Sequence, residues 1–189
     1  MNRTNFKNNE NKVLPMTVVL VGLMGAGKTS VGRRLADRLK VPFIDADHEI
    51  EQAAGCSVVD FFEKFGEKEF REGEKRVIAR LLKLEPCILA TGGGAYMALE
   101  TRELIKEKAV SLWIRADLDV LNGRLALRSG RPLLQTDDPR ATIKKLMETR
   151  YPIYAEADIT VESPEAPVEI TVNAVYGVVT EYFSLNKER

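Results

Sequence analysis

The stretch GLMGAGKTS, residues 22–30, follows the apolar run Met16–Val21 and leads into a segment with helical spacing, Lys28–Leu39. Its glycines and its Lys-Thr ending match Gly-x-x-x-x-Gly-Lys-Thr, the phosphate-binding loop between a strand and a helix. Glycines let the backbone turn several N–H groups inward, and the helix N-terminus adds a partial positive charge. The stretch therefore predicts a strand, a loop and a helix that bind the phosphates of a nucleoside triphosphate.

Short apolar runs alternate with longer amphipathic ones along the rest of the chain, which is the order of βαβ units and a parallel sheet. The predicted strands are Thr17–Val21, Pro42–Ile44, Pro86–Ala90, Val110–Ile114 and Asp158–Val161. The clearest predicted helices are Lys28–Leu39, Glu67–Leu84, Leu99–Lys106, Leu118–Leu127, Arg140–Tyr154 and Val168–Phe183. The sequence thus predicts an α/β fold in which helices cover both faces of a five-stranded parallel sheet.

The last predicted helix carries an apolar stripe. Its members recur at helical spacing: Ile170, Ala174, Val175, Val178 and Tyr182. Such a stripe is typical of a helix that packs one face against a core. We expect these five side chains to be buried.

The charge balance and the cysteines argue against several classes of protein. Lysine plus arginine number 28 and aspartate plus glutamate also 28, so no overall field attracts nucleic acid or an anionic membrane. No run reaches the roughly 18 apolar residues of a membrane span. Cys56 and Cys87 have neither metal-ligand nor redox-motif spacing and are read as reduced thiols. We expect a cytoplasmic monomer that binds neither nucleic acid nor membrane.

The chain is predicted to form one domain, residues 15–189, behind a disordered tail, residues 1–14. The tail is polar and lacks the apolar segment of a secretory signal. One interval, RSGRPLLQTDDP between Arg128 and Pro139, combines glycine, proline and aspartate and is predicted to be a loop. A long loop with arginines in a compact domain is either a mobile lid or a disordered insertion. We expect a lid at about residues 123–139.

Two aspartates follow the second predicted strand, where the third strand has none. Many phosphate-binding-loop proteins place a magnesium-binding aspartate after a later strand, but here that strand runs into Thr91 and three glycines. Asp45 and Asp47 should lie in the crevice at the carboxyl ends of the strands and point the same way. They could divide the binding of metal and substrate between them. Alternatively, one of them caps the helix that follows, His48–Ala53.

Three consecutive glycines and three arginines complete the candidate site. Gly92–Gly94 place no side chain at the rim of the crevice, which suits close approach to a small ligand or, alternatively, a tight turn. Arg71, Arg131 and Arg150 lie outside obvious salt-bridge ladders. A guanidinium grips carboxylate or phosphate with paired hydrogen bonds, although a solvated surface position is the ordinary alternative.

Taken together, these motifs resemble the shikimate kinase family, whose members phosphorylate the 3-hydroxyl of shikimate with ATP in aromatic amino-acid biosynthesis. The resemblance covers about residues 16–183, and its carriers are GLMGAGKTSVGRRLA, FIDADHEIE, GEKEFREGE, TGGGA, RPLL and RYPIYAEAD. Only the first is widespread among phosphate-binding-loop proteins. The resemblance implies a three-layer fold of the nucleoside monophosphate kinase type with a mobile lid.

The resemblance implies roles on the nucleotide side. Lys28 and the lid arginine, Arg131, would act on the transferred phosphate, and Arg124 would stack on adenine. Thr29 would bind one Mg²⁺, and Asp45 would support it through water. The ATP-binding residues would be Gly25, Ala26, Gly27, Lys28, Thr29, Ser30, Arg124 and Arg131.

On the substrate side, the resemblance implies that Asp47 binds the shikimate hydroxyls and lies where the 3-hydroxyl proton must go. Arg71 and Arg150 would clamp the carboxylate, and Gly92, Gly93 and Gly94 would pack against the ring. Glu74, three residues beyond Arg71 on one helix, could orient that guanidinium. The catalytic residues would then be Asp47, Lys28 and Arg131.

Three other functions remain open from the sequence. A gluconate-type kinase would need similar contacts, but the pair Arg71 and Arg150 with the glycines favours shikimate. A nucleoside monophosphate kinase would not need this set of side chains. A sensor without turnover is disfavoured because Lys28, Asp45 and Asp47 are all present.

Overall fold

In this computed structural model, residues 14–126 and 138–186 are described. They contain the strands β1 Thr17–Val21, β2 Phe43–Asp45, β3 Ile88–Ala90, β4 Ala109–Arg115 and β5 Ile159–Glu162. All pairings are parallel, and the strand order is β2-β3-β1-β4-β5. The predicted α/β fold with a five-stranded parallel sheet is confirmed.

Seven α-helices occur among the described residues: α1 Lys28–Leu39, α2 Ala46–Ala54, α3 Val58–Leu81, α4 Leu99–Lys108, α5 Leu118–Ala126, α6 Pro139–Tyr154 and α7 Val168–Leu185. A short 3-10 turn, Ala95–Met97, precedes α4. The step from β1 to β2 runs across the sheet in the opposite direction to the later steps. Because parallel crossovers are right-handed, α1 lies on one face and the later crossover helices on the other. The last helix, α7, packs against α1.

Strand β1 forms the centre of the sheet. All five of its residues are buried, and its register pairs Val18 with both Ile88 of β3 and Val110 of β4. Burial on both faces explains why the strand reads as a continuous apolar run. The loop after β1 therefore leaves the middle of the carboxyl edge, where open parallel sheets bind ligands.

Trp113, the single tryptophan of the chain, lies near the end of β4 opposite Val21. It is buried, and its Cδ1 is 3.3 Å from the position that a Cβ would take on Gly22. The edge of Tyr151 packs against the indole, with ring centroids 4.9 Å apart. The indole thus packs against the first residue of the phosphate-binding loop.

Helix α3 begins nine residues before the predicted start at Glu67 and bends at Gly66, which has a φ of 82°. Ser57 caps its first turn by accepting a hydrogen bond from the N–H of Asp60 at 3.1 Å. The first half carries Phe62, whose ring lies 4.5 Å from that of Phe70 in the second half. The bend lets two short helical segments share one aromatic cluster.

The predicted stripe on α7 is confirmed in part, because Val175 is buried and Val178 and Tyr182 pack half-buried against the core. Ile170 is 52% exposed and Ala174 is also exposed. The buried residues of this helix are Thr171, Val172, Val175 and Val179. Thr171 is buried, and its hydroxyl donates a hydrogen bond to Ser163 Oγ at 3.4 Å. A satisfied hydroxyl can occupy a core position that hydrophobicity alone does not indicate.

Most of the predicted tail and lid lies outside the described residues, namely 1–13 and 127–137. The candidate residue Arg131 is among them. The single-domain assignment stays a prediction, although the buried side chains of the described residues form one core cluster. Within the described ranges, no helix has both the length and the apolar character needed to cross a membrane.

Candidate active site

The phosphate-binding loop, residues 22–27, joins β1 to α1. Gly25 and Gly27 have φ values of 81° and 103°, in the region that favours glycine. With these dihedrals the backbone can form a concave surface of N–H groups at the N-terminus of α1. This arrangement forms a site for phosphate at the middle of the sheet edge.

Lys28 is the first residue of α1, and its side chain curls back over the loop. Its Nζ donates hydrogen bonds to the carbonyls of Gly22 and Leu23 at 2.7 and 3.0 Å. The ammonium is therefore held inside the curve of the loop, where a phosphate bound to the loop would lie. A cation in this position can interact with β- and γ-phosphate oxygens.

A cleft of about 430 Å³ opens in front of the loop. The predicted site residues that line it are Gly25, Gly27, Lys28, Thr29, Ser30, Asp45, Asp47, Gly92, Gly93 and Arg124. Ala26 is buried behind the loop. The far wall contains residues that sequence reasoning missed: Ser163, Ala166, Val168 and Thr171. The only sequence signal for that wall was its position after the last strand.

Thr29 and Asp45 meet at the mouth of the cleft. The Thr29 hydroxyl donates a hydrogen bond to Asp45 Oδ2 at 3.1 Å. The other oxygen of Asp45 accepts from the N–H of Asp47 at 3.2 Å, which makes Asp45 the N-cap of α2. Asp45 therefore fits both alternatives from the sequence. One oxygen caps the helix, and the other faces the mouth of the cleft.

The Thr29–Asp45 pair suits a magnesium ion that shares its coordination with water and phosphate. Both donors are oxygens, which Mg²⁺ prefers, and a single carboxylate is usual for such ions at phosphate sites. Among the described residues, there is no cluster of three or more histidine, cysteine, aspartate or glutamate side chains that could hold a metal without a phosphate.

Each of the three consecutive glycines lies against one predicted substrate-binding side chain. A Cβ on Gly92 would lie 2.6 Å from Asp47 Oδ1, and one on Gly94 would lie 2.5 Å from the guanidinium carbon of Arg71. A Cβ on Gly93 would lie 3.6 Å from Arg150 Nη1 and 3.4 Å from the carbonyl oxygen of Gly22. The glycine segment thus contacts three polar side chains, and Gly93 also lies against the phosphate-binding loop. Of the predicted substrate-binding residues, Arg71, Gly94 and Arg150 do not line the cleft itself.

The carboxyl group of Asp47 is largely buried in this cluster. Burial raises its pKa, the neighbouring Asp45 raises it further, and Lys28 opposes the rise. A carboxylate with a raised pKa is a better proton acceptor than one in water.

Arg71 is held by charges and by aromatic rings. Its Nη1 donates to Glu74 Oε2 at 2.6 Å, and its guanidinium lies 5.2 Å from the ring centroid of Phe70. Burial lowers its pKa, but Glu74 and Glu67 more than offset this, so the net pKa is raised. Arg71 is therefore a permanent cation whose orientation is fixed before any ligand binds.

Glu74 is buried, and only one of its oxygens is occupied. Oε2 accepts from Arg71, whereas Oε1 has no hydrogen-bond partner among the described residues. Oε1 lies 3.2 Å from the position of a Cβ on Gly92. Burial raises the pKa of Glu74, Arg71 lowers it, and Asp47 raises it. This oxygen is an available acceptor beside the glycine segment.

Arg150 and Tyr154 lie one turn apart on α6 and reach the same atom. Nη1 of Arg150 donates to the carbonyl of Gly93 at 3.1 Å, and the hydroxyl of Tyr154 donates to that carbonyl as well. Residues four apart on a helix share one face, which accounts for their convergence. Sequence reasoning found Arg150 but missed Tyr154.

Arg124, from α5, spans the opposite end of the cleft. Its guanidinium donates to Ser163 Oγ at 2.9 Å and to the carbonyl of Pro164 at 2.7 Å. Weaker bonds reach the carbonyls of Gly25 and Ala26. The planar group thus bridges the phosphate-binding loop and the segment between β5 and α7, where a base attached to the phosphates could stack on it.

A family model for shikimate kinase matches residues 24–179. The chain belongs to the shikimate kinase family. A relative called shikimate kinase from Paramagnetospirillum magneticum is 56% identical over 171 residues, covering 90% of this chain and 88% of the relative.

Solved structures give the same family and the same fold. A shikimate kinase from Acinetobacter baumannii, solved in complex with shikimate, has a TM-score of 0.84 at 34% identity and covers 92% of this chain and 96% of its own. A gluconokinase from Sinorhizobium meliloti has a TM-score of 0.60 at 18% identity, covering 91% of this chain and 97% of its own. The second likeness shows the fold alone.

Proposed function

We propose that this protein transfers the γ-phosphate of ATP to the 3-hydroxyl of shikimate, giving shikimate 3-phosphate and ADP. The observation that carries the proposal is the glycine segment, whose three members touch Asp47, Arg150 and Arg71 within reach of the phosphate-binding loop. A cyclic acid with several hydroxyls matches this arrangement, because it offers a carboxylate to the arginines and a hydroxyl to Asp47.

ATP would bind with its phosphates on the loop and its base beside Arg124. The amides of residues 25–29, Lys28 and Ser30 would contact the phosphate oxygens, as their positions in the cleft allow. The wall formed by residues 163–171 is close enough to Arg124 to enclose the base on its second side.

One Mg²⁺ per molecule would be held by Thr29, directly, and by Asp45, through water. When bound, the ion would neutralise charge on the phosphates. Thr29 and Asp45 are already paired at 3.1 Å, so the protein donors lie together without it.

Shikimate would be anchored through its carboxylate by Arg71 and Arg150. Glu74 holds Arg71 in position, and Arg150 donates a hydrogen bond to the carbonyl of Gly93. Two guanidinium groups therefore flank one short backbone segment. The oxygen of the 3-hydroxyl would then bond to the γ-phosphorus while Asp47 receives the hydroxyl proton. The bond between the γ-phosphorus and the oxygen that bridges it to the β-phosphate would break, releasing ADP. Holding both reactants in line is the main part of catalysis in such a loose transition state.

Cations would stabilise the charge that spreads over the transferred phosphoryl group. Lys28 is already placed inside the loop. Arg131 would add a second charge from the lid, which would also close over the substrates and limit hydrolysis of ATP by water. Both roles of the lid are proposals from the family resemblance, since Arg131 lies outside the described residues.

The decisive experiment is ADP production by the purified protein with ATP and Mg²⁺, with shikimate, quinate or gluconate as acceptor. We expect turnover with shikimate to exceed that with gluconate by at least about 10³-fold, because gluconate is an open chain and cannot hold its carboxylate and reacting hydroxyl in the fixed geometry of a ring. Equal or greater turnover with gluconate would contradict the proposal.

We propose further that the protein acts as a monomer in the cytoplasm, where ATP is plentiful. All the side chains invoked above, apart from Arg131, meet within the described part of one chain. Sedimentation at assay concentrations should give the mass of a single chain, 21.2 kDa. A dimer that loses activity on dilution would contradict this.

A further inference from the structure

The carbonyl of Gly93 accepts from two side chains at once. Arg150 donates from a guanidinium, and Tyr154 donates from a phenol one turn further along α6. In the proposed function, Arg150 also binds the substrate carboxylate, which competes with this carbonyl for the same guanidinium. The hydroxyl of Tyr154 then matters, because Gly93 is half-buried and a carbonyl there that loses its partner costs free energy.

The side chain of Tyr154 is held in place by its surroundings. It is fully buried, and its ring packs between those of Tyr96 and Trp113, at centroid distances of 6.4 and 5.9 Å. Burial raises its pKa to about 12, so the hydroxyl keeps its proton and remains a donor throughout the physiological range. Unlike Arg150, it is too enclosed to turn toward a ligand.

The backbone beyond the glycines is anchored separately. Arg102 donates to the carbonyls of Tyr96 and Met97 at 3.0 and 2.9 Å, and it pairs with Glu156 at 3.0 Å. The 3-10 turn is therefore fixed without Tyr154. What the Tyr154 hydroxyl adds is a donor to the Gly93 carbonyl itself, next to the guanidinium of Arg150.

We propose that Tyr154 is a positioning residue that holds the Gly93 carbonyl while Arg150 turns to the substrate carboxylate. The inference rests on the proposed function and deepens it. With Tyr154 in place, Arg150 can turn to the substrate carboxylate while the half-buried carbonyl of Gly93 keeps a donor, and the glycine segment keeps its shape under the substrate ring.

The test is Tyr154→Phe, with Tyr151→Phe as the matched control. Tyr151 lies on the same helix, packs against the same indole and has its pKa raised to about 12 by burial, but its hydroxyl donates to the carbonyl of Ala116. Both variants lose one hydrogen-bonded hydroxyl and keep the ring. We expect Tyr154→Phe to raise KM for shikimate about threefold to tenfold, the range of one neutral hydrogen bond, with KM for ATP unchanged.

The control should leave KM for shikimate within about twofold of wild type, whatever both substitutions do to the melting temperature. A merely structural role for Tyr154 would instead give unchanged KM values, or an equal rise for both substrates in both variants. Either result would overturn the inference.

A second measurement separates the two donors. In an Arg150→Met background, no guanidinium has to leave the carbonyl, so Tyr154→Phe should add less than about twofold to the dissociation constant for shikimate measured by calorimetry. Full additivity would also overturn the inference. A wild-type protein without shikimate turnover would refute the proposed function and this inference together, whereas active wild type with unchanged Tyr154→Phe refutes the inference alone.

Discussion

Asp47 and Gly92 are so close that a Cβ on the glycine would lie 2.6 Å from Oδ1 of the aspartate. The Asp47 carboxylate can occupy this position only because residue 92 has no side chain. The same holds for Arg71 beside Gly94. The lack of side chains at Gly92 and Gly94 therefore shapes the candidate substrate pocket as much as Asp47 and Arg71 do.

Replacing Gly92 by alanine should move the Asp47 carboxylate without unfolding the protein. The atoms that a new Cβ would meet are the ends of the Asp47 and Glu74 side chains, which can turn away. We expect kcat to fall about 10²-fold, the usual effect of a 1 Å misplacement. Gly177→Ala, at a position on α7 with open space around it, is the control and should leave kcat unchanged. Wild-type kcat in Gly92→Ala would refute the placement argument.

Asp47→Asn should lower kcat by about 10²–10⁴, the range for a positioned acid or base. The amide keeps the size of the side chain but cannot accept the hydroxyl proton. Steady-state kinetics with saturating ATP and shikimate would measure this, and calorimetry should show that shikimate still binds. A variant that turns over at the wild-type rate would remove Asp47 from the mechanism.

Arg150→Ala and Arg131→Ala should have opposite kinetic effects. Loss of Arg150 removes an anchoring contact made in both ground and transition states, so KM for shikimate should rise about 10–100-fold. Loss of Arg131 should instead lower kcat about 10²-fold, because it removes charge stabilisation in the transition state. Kinetics showing the reverse pattern would contradict this division of roles.

Glu74 should make the unliganded protein less stable as the pH rises. Its pKa in the folded state is raised above 4.5, so the folded state holds this proton more tightly than the unfolded state. Its ionisation therefore costs stability as the pH rises from about 4.5 through the folded pKa. In Glu74→Gln this part of the pH dependence should disappear.

The control for that measurement is Glu67→Gln. Glu67 also pairs with Arg71, at 3.4 Å, but its side chain is 71% exposed. Thermal melts of both variants between pH 4 and 8, without Mg²⁺ or substrates, should differ from wild type only for Glu74→Gln. A wild-type melting temperature that is flat over this range would contradict the prediction.

The sheet and most of the candidate site could be predicted because their signals are local. The phosphate-binding loop fixes β1 and α1, and parallel strands that end at one edge bring Asp45, Asp47 and Gly92 together. The first half of α3 could not be predicted in the same way. Gly66 interrupts its periodicity, and the aromatic cluster that stabilises both halves is a tertiary contact.

Other misses have a common physical cause. Tyr154 acts on a backbone carbonyl, which leaves no complementary side chain in the sequence to signal it. At the start of α7 the buried position is taken by Thr171, whose hydroxyl pairs with Ser163, while Ile170 is exposed. In both cases a hydrogen bond that the hydrophobic pattern does not indicate satisfies the buried polar side chain.

The indole of Trp113, which lies against Gly22, is an intrinsic fluorescent probe. Trp113 is the only tryptophan in the chain, so its emission comes from one environment, at the root of the phosphate-binding loop. Rearrangement of that loop on nucleotide loading would alter the fluorescence without any added dye. Inhibitors that displace ATP could then be screened in unlabelled protein.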